Sequence, residues 1–146
     1  MFLGQYQHSI DDKGRLMVPA RFRESLEGGA FLCQGFEKCL MVMTGTYFKK
    51  VYDEITAMSL TDPTARLLRR LIFSTAYPVD VDKVGRVLVP GTLRQFAGLE
   101  GEAVIAGQGE YFEVWTPAEW DKQAALISDG EANNQRFTAL DLSTKP

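Results

Sequence analysis

The stretch DDKGRLMVPARFR (residues 11–23) returns as DKVGRVLVPGTLR (82–94), and each copy holds an aspartate, a glycine and an arginine at one spacing: Asp11, Gly14, Arg15 and Asp82, Gly85, Arg86. In a tight turn the aspartate accepts backbone N–H bonds and the glycine supplies left-handed backbone. The arginine can pair with the aspartate across the hairpin, but a surface Asp–Arg pair adds little stability. A planar guanidinium steered by an aspartate is also well made for bidentate contact with guanine O6/N7 or with phosphate. A two-stranded ribbon carrying it fits a major groove. Lys13 and Lys83 add positive charge to the same turns, one step out of register with each other.

Other reactive side chains offer less. The paired carboxylates Asp11/Asp12 and Asp80/Asp82 lie on exposed turns beside lysine and arginine, which keeps them ionised and unsuited to general acid–base work. No phosphate-binding loop, dinucleotide glycine fingerprint, HExxH helix or nucleophile elbow occurs. His8 stands without a nucleophile nearby and reads as a strand histidine. Cys33 and Cys39 could be bridged, but in a reducing compartment they read as buried free thiols. Three Cys/His residues that do not cluster fall short of a zinc site. The chain reads as neither an enzyme nor a cofactor protein.

The elements that position the turns follow from the repeat. With Tyr6 set against Tyr77 the register holds at an offset of 71: Ile10/Val81, Val18/Val89, Pro19/Pro90 and Arg23/Arg94 all match. FLC (31–33) then meets VIA (104–106), LMVMT (40–44) meets FEVWT (112–116), and Phe48 meets Trp120. Each half reads as hairpin, short helix, two strands and longer helix. Pro19 and Pro90 suit the first helical position. Thr116, Pro117 and Glu119 form a capping box, and Asp62-Pro63 opens a helix with Leu68, Leu71 and Ile72 on one face and Arg66, Arg69 and Arg70 on the other. The runs LMV and VLV are continuously apolar, which predicts burial on both faces.

A half of ~70 residues has a thin core alone, so the halves are expected to interleave into one barrel-like unit about a pseudo-twofold axis. The expected segments are a first half (1–58), a linking helix (59–76), a second half (77–128) and a polar, mobile tail (129–146) whose Phe137, Leu140 and Leu142 could dock on a neighbour. The chain has 146 residues, 45% hydrophobic and 24% charged, with no apolar run near the ~20 residues of a membrane helix and no signal peptide at its start. A cytoplasmic protein with no membrane partner is expected. The net charge of −3 argues against a uniformly basic surface, not against a local basic patch.

The tandem Asp-x-x-x-Arg turns, the GRLMVP and GRVLVP strands, the opening MFLG and the length resemble the MraZ family over essentially the whole chain. The resemblance implies an α+β fold: a swapped-hairpin, AbrB-like β-barrel of two tandem repeats flanked by short helices. It implies a nucleoid-associated transcription factor that binds double-stranded DNA at direct repeats in the promoter of the division and cell-wall gene cluster, its own gene included, as a closed homo-oligomeric ring. Carried onto this chain, DNA contact falls on Arg15 and Arg86, assisted by Lys13 and Lys83, with Asp11, Gly14, Asp82 and Gly85 orienting the turns. Arg21, Arg23 and Arg94 are a solvated face or phosphate contacts. The helix over 64–73 and the Trp115/Trp120 region are candidates for the ring interface. The alternative is an oligomeric interaction module of antitoxin type, since AbrB-type folds serve in both roles.

Overall fold

A computed structural model describes residues 1–142. The first copy of the repeat runs β1 (Gln5–Ile10), β2 (Arg15–Met17), α1 (Ala20–Arg23), a 3-10 turn (Glu24–Leu26), β3 (Ala30–Gln34), β4 (Leu40–Thr44), α2 (Gly45–Thr56) and α3 (Pro63–Phe73). The second runs β5 (Tyr77–Val79), β6 (Arg86–Leu88), α4 (Gly91–Ala97), β7 (Gly101–Gly107), β8 (Tyr111–Trp115), α5 (Pro117–Ile127) and α6 (Gly130–Arg136). The order hairpin, short helix, two strands, longer helix is therefore present twice.

Caps explain where the longer helices begin. The Thr116 hydroxyl accepts the Glu119 N–H at 3.1 Å, and Pro117 follows at the first helical position. Thr44 does the same for α2, and the Asp62 carboxylate accepts the Thr64 N–H at 2.9 Å ahead of α3. Pro19 and Pro90 differ from expectation by one residue: each has an extended ψ, 138° and 145°, and stands just before its helix. The fixed proline φ suits either position, and the strand geometry preceding it extends one residue further.

All strand pairings are antiparallel, in the order β5-β3-β4-β8-β7-β1-β2-β6, and the sheet curls into a nearly closed barrel. The swap is visible in the pairing. β1 leaves its own half to pair with β7 from Gln5↔Ala106 to Ile10↔Gly101, while β5 of the second half pairs with β3 of the first. β2 pairs with β6, and β4 with β8, also across the halves. The two outermost strands, β5 and β6, are joined by the second turn, where the Asp82 N–H donates to the Arg86 carbonyl at 2.8 Å. Pro78 sits in β5 at the end of the sheet, where a missing N–H is tolerated.

The repeat register is also the core register. Leu16, Val18, Phe22, Leu32, Leu40 and Val42 meet Val87, Val89, Leu93, Ile105, Phe112 and Val114 in one shared cluster. Phe2 closes it, edge-on to Phe22 at 5.0 Å and to Phe112 at 5.2 Å, which accounts for the opening MFLG. Neither half could bury this surface alone.

The outer layers differ between the halves. Over β3 and β4, α2 and α3 build a second cluster of Cys33, Met41, Met43, Ile55 and Ile72, with Leu68 and Leu71 packed on it. The segment expected as a linking helix thus contains α3, which rests on the first half. Over β7 and β8 the cluster is only Cys39, Val104, Ala106 and Trp115, with Trp120 against it. Trp115 is buried there, so it belongs to the core of the second half. Residues 130–136 of the expected tail form a helix, because the Asp129 carboxylate caps it by accepting the Ala132 N–H at 3.1 Å. Phe137, Leu140 and Leu142 are exposed, and 143–146 lie outside the described residues. Both cysteines are buried free thiols, pushed up to about 12 by burial.

Candidate nucleic-acid interface

The two repeated turns are built from the same bonds. In the first, the Asp11 carboxylate accepts the backbone N–H of Lys13 at 3.0 Å and of Arg15 at 2.8 Å, and its other oxygen accepts Nε of Arg15 at 2.7 Å. In the second, Asp82 accepts the N–H of Val84 at 3.0 Å and of Arg86 at 2.9 Å, and Nε of Arg86 at 3.0 Å. Gly14 and Gly85 close the turns with N–H bonds to the Asp11 and Asp82 carbonyls, both at 3.0 Å, at φ of 87° and 97°. Any other residue would be strained there.

These bonds set the charge of the site. The Arg15 backbone N–H, with its side chain adding to it, holds Asp11 below the ordinary carboxylate value of 3.8. Arg86 does the same for Asp82 through the same two groups, its backbone N–H contributing most. Both aspartates therefore stay ionised, and each guanidinium is aimed by its Nε bond. Among the described residues the Nη groups of Arg15 make no hydrogen bond; one Nη of Arg86 lies 4.0 Å from Asp11.

The ribbon of β2 and β6 turns the pair into one patch. Arg15 stands opposite Leu88, and Met17 opposite Arg86. Leu16 and Val87 between them are wholly buried, so alternation sends Arg15, Met17, Arg86 and Leu88 outward together. The expected burial of LMV and VLV on both faces is corrected here. Leu88 is 58% exposed and Met17 half-buried, because no layer of helices among the described residues covers the outer side of this ribbon. Sequence reasoning missed Met17 and Leu88 because an unbroken apolar run conceals a strand with a free face.

The remaining basic residues divide. Lys13 and Lys83 are exposed at the turn tips, and Arg21 is exposed on α1. Arg23 and Arg94 are half-buried and lie beneath the turns of the opposite half. Arg23 donates through Nε to the Val18 carbonyl at 2.9 Å and approaches the Met17 sulfur at 3.4 Å. Of the three arginines, Arg21 alone has the solvated setting expected for all of them.

Glu37, Cys39 and Glu113 bring donor atoms within 4.8 Å of one another. Glu113, however, accepts the Trp115 and Gln108 side-chain N–H groups at 3.2 and 3.1 Å, and burial raises both its pKa and that of Cys39. The Glu113 carboxylate thus pins the Trp115 indole N–H and the Gln108 amide. His8 lies in β1, its pKa lowered by burial and then by Arg23. Among the described residues no helix is long and apolar enough to cross a membrane.

Proteins called Transcriptional regulator MraZ align along nearly the whole chain. The one from Thermomicrobium roseum is 42% identical over 141 residues, covering 96% of this chain and 99% of its own length. The one from Roseiflexus sp. is 40% identical over 137 residues, 94% of each chain. The one from Heliobacterium modesticaldum is 46% identical over 123 residues, 84% of this chain and 85% of its own. The family model described as "MraZ protein, putative antitoxin-like" matches twice in tandem, at residues 1–71 and 72–142. The two matches meet between Leu71 and Ile72, so α3 falls almost wholly in the first copy and α6 in the second. With the repeat, the swapped barrel and the full-length relatives in agreement, the chain belongs to the MraZ family.

Proposed function

We propose that this protein is a sequence-specific DNA-binding regulator of transcription that reads double-stranded DNA with the outward face of its β2–β6 ribbon. The observation that carries the reading is the placement of Arg15 and Arg86 on one outward face of the ribbon, each aimed by its own aspartate. A rigid arginine fork discriminates guanine by about 1–3 kcal/mol. Lys13 and Lys83 add phosphate contacts at the ribbon's two ends. The relatives' names describe regulators of transcription and not enzymes.

The target is direct repeats in the promoter of the division and cell-wall gene cluster, including the protein's own gene, and the binding form is a closed ring. Two unlike apolar surfaces on one chain support such a ring. One surrounds α3, with Phe36, Leu60 and Leu67 exposed, and the other lies along α5 and the segment after it, with Leu126, Ile127, Phe137 and Leu140 exposed. Unlike surfaces join head to tail, and a head-to-tail contact either closes into a ring or runs on as a filament. A ring also reconciles the chain's net charge of −3 with DNA binding, since several basic patches act on one duplex through effective concentration. Head-to-tail repetition matches direct repeats, spaced near one helical turn of ~10 bp.

Hydroxyl-radical footprinting of the region upstream of the protein's own gene tests this, alongside sedimentation of the free protein. The expected result is protection repeating at ~10 bp by a species several protomers in mass. Uniform cleavage at protein concentrations that coat random DNA would end the regulator reading.

A further inference from the structure

Each turn glycine is gripped by the other half of the molecule. The Gly14 carbonyl accepts the Val89 N–H at 2.8 Å, and the Gly85 carbonyl accepts the Val18 N–H at 2.9 Å. On the Cα side, a Cβ at Gly14 would lie 2.6 Å from Nε of Arg94, and a Cβ at Gly85 would overlap the Arg23 guanidinium outright. Arg94 belongs to α4 of the second half and Arg23 to α1 of the first. The contacts are thus crossed and exchanged by the pseudo-twofold. Arg94 holds its place although its Nε is buried and has no hydrogen-bond partner among the described residues. An orphaned buried donor is costly to the fold and calls for an explanation.

We infer that Arg23 and Arg94 are positioning residues that brace the reading turns across the halves: Arg94 fixes the turn of Arg15, and Arg23 fixes the turn of Arg86. The function of the brace rests on the reading of those turns as the DNA-contacting face. The planar guanidinium lies against the glycine backbone where no side chain fits, and it blocks the turn from collapsing onto the short helix beneath. The arginine on the ribbon is then presented by two clamps, its own aspartate and the other half's arginine. This gives a second reason for both glycines: besides taking a positive φ, they leave room for the brace.

The alternative assignment of Arg23 and Arg94, direct phosphate contact, makes different predictions. Methionine keeps the apolar stem and removes the planar charged head, so Arg94→Met and Arg23→Met are the variants of choice, with Arg94→Lys as a charge-conserving partner. Amide hydrogen exchange of the free protein is the first readout. Arg94→Met is expected to speed exchange at Lys13, Gly14 and Arg15 about tenfold while leaving Val84, Gly85 and Arg86 unchanged, and Arg23→Met to do the reverse. Arg94→Lys restores charge but not the flat contact, and is expected to exchange like Arg94→Met.

Binding to duplex DNA from upstream of the protein's own gene is the second readout. Arg94→Met is expected to add less than a twofold loss on top of Arg15→Ala but to multiply with Arg86→Ala, because only neighbours in one unit couple. The inference is overturned if exchange rises equally in both turns, or only in the turn of the same half. It is also overturned if Arg94→Met multiplies with Arg15→Ala and lowers the salt slope by ~0.9, the mark of a lost phosphate contact. Should wild type bind that DNA no better than random duplex, the regulator reading fails, and the exchange pattern still decides the brace.

Discussion

The two turns differ less in their backbone than in what they present. Both use one aspartate to hold two amides and a guanidinium, with bond lengths within 0.3 Å of each other. At the tip, however, the position of Lys13 is taken in the second turn by Val84, which is 57% exposed, and the lysine moves one residue earlier as Lys83. On the ribbon, half-buried Met17 corresponds to exposed Leu88. Asp11 is approached by both arginines, Arg15 at 2.7 Å and Arg86 at 4.0 Å. The turn mechanism is therefore common to both halves, and each turn carries one lysine and one arginine. The first adds exposed Asp12 where the second has Lys83, the second is more apolar at Val84 and Leu88, and Arg86 alone is drawn toward the other turn's aspartate. Geometry shared and chemistry divided is what a reader of asymmetric direct repeats needs from a pseudo-symmetric barrel.

The widest separation between the halves is expected in affinity. Arg15→Ala should weaken binding to the promoter repeats by about 100-fold and Arg86→Ala by about tenfold, within the range of one or two bidentate contacts. Fluorescence anisotropy at fixed salt measures both, and equal losses would erase the distinction between the turns. Next in size is a stability effect that the turns should share. Gly85→Ala forces a Cβ into positive φ at a cost of about 1–2 kcal/mol and drives it into Arg23, so a fall of several degrees in Tm is expected, and likewise for Gly14→Ala. An unchanged Tm would mean that neither backbone nor brace constrains the turn.

A gain of function sharpens the comparison further. Val84→Lys places a lysine where Lys13 stands in the first turn, and should steepen the dependence of log K on log salt by ~0.9. No change in slope would place the tip of the second turn away from the DNA. The smallest effect is in pH. Asp11 and Asp82 have folded pKa values depressed below 3.8, first by the arginine backbone amide. Their bonds to the turn are therefore fully present above 3.8 and are lost as pH falls through the lower folded values. Carbon-detected titration of the two carboxyls should give midpoints under 3.8, and midpoints at or above it would remove the aspartates from the mechanism.

Much of this was legible from residues. The offset of 71 carries core pairs such as Leu16 with Val87 through the hairpin and short helix, and after a short insertion the strands follow in the same order. Thr116, Asp62 and the two turn aspartates announce their bonds because caps and turns depend on contacts within a few residues. What escaped depends on distance in the chain. Arg23 and Arg94 match perfectly in the repeat, yet the hairpin swap sends each to the other half's glycine. The free face of LMV and VLV was concealed because an apolar run records burial of one side without naming the other. The helix over 130–136 rests on a single cap at Asp129 in a polar stretch that carries little apolar pattern.

The central claim, that the outward face of the β2–β6 ribbon meets DNA, is most directly tested with methyl-labelled protein, whose signals survive in a large assembly. Duplex carrying the promoter repeats would be titrated while the methyl groups of Met17, Leu88, Leu67 and Leu126 are followed by NMR. Shifts at Met17 and Leu88 with Leu67 and Leu126 unmoved are the predicted result. Shifts at Leu67 or Leu126 with Met17 and Leu88 silent would contradict the account and move the interface to the helices.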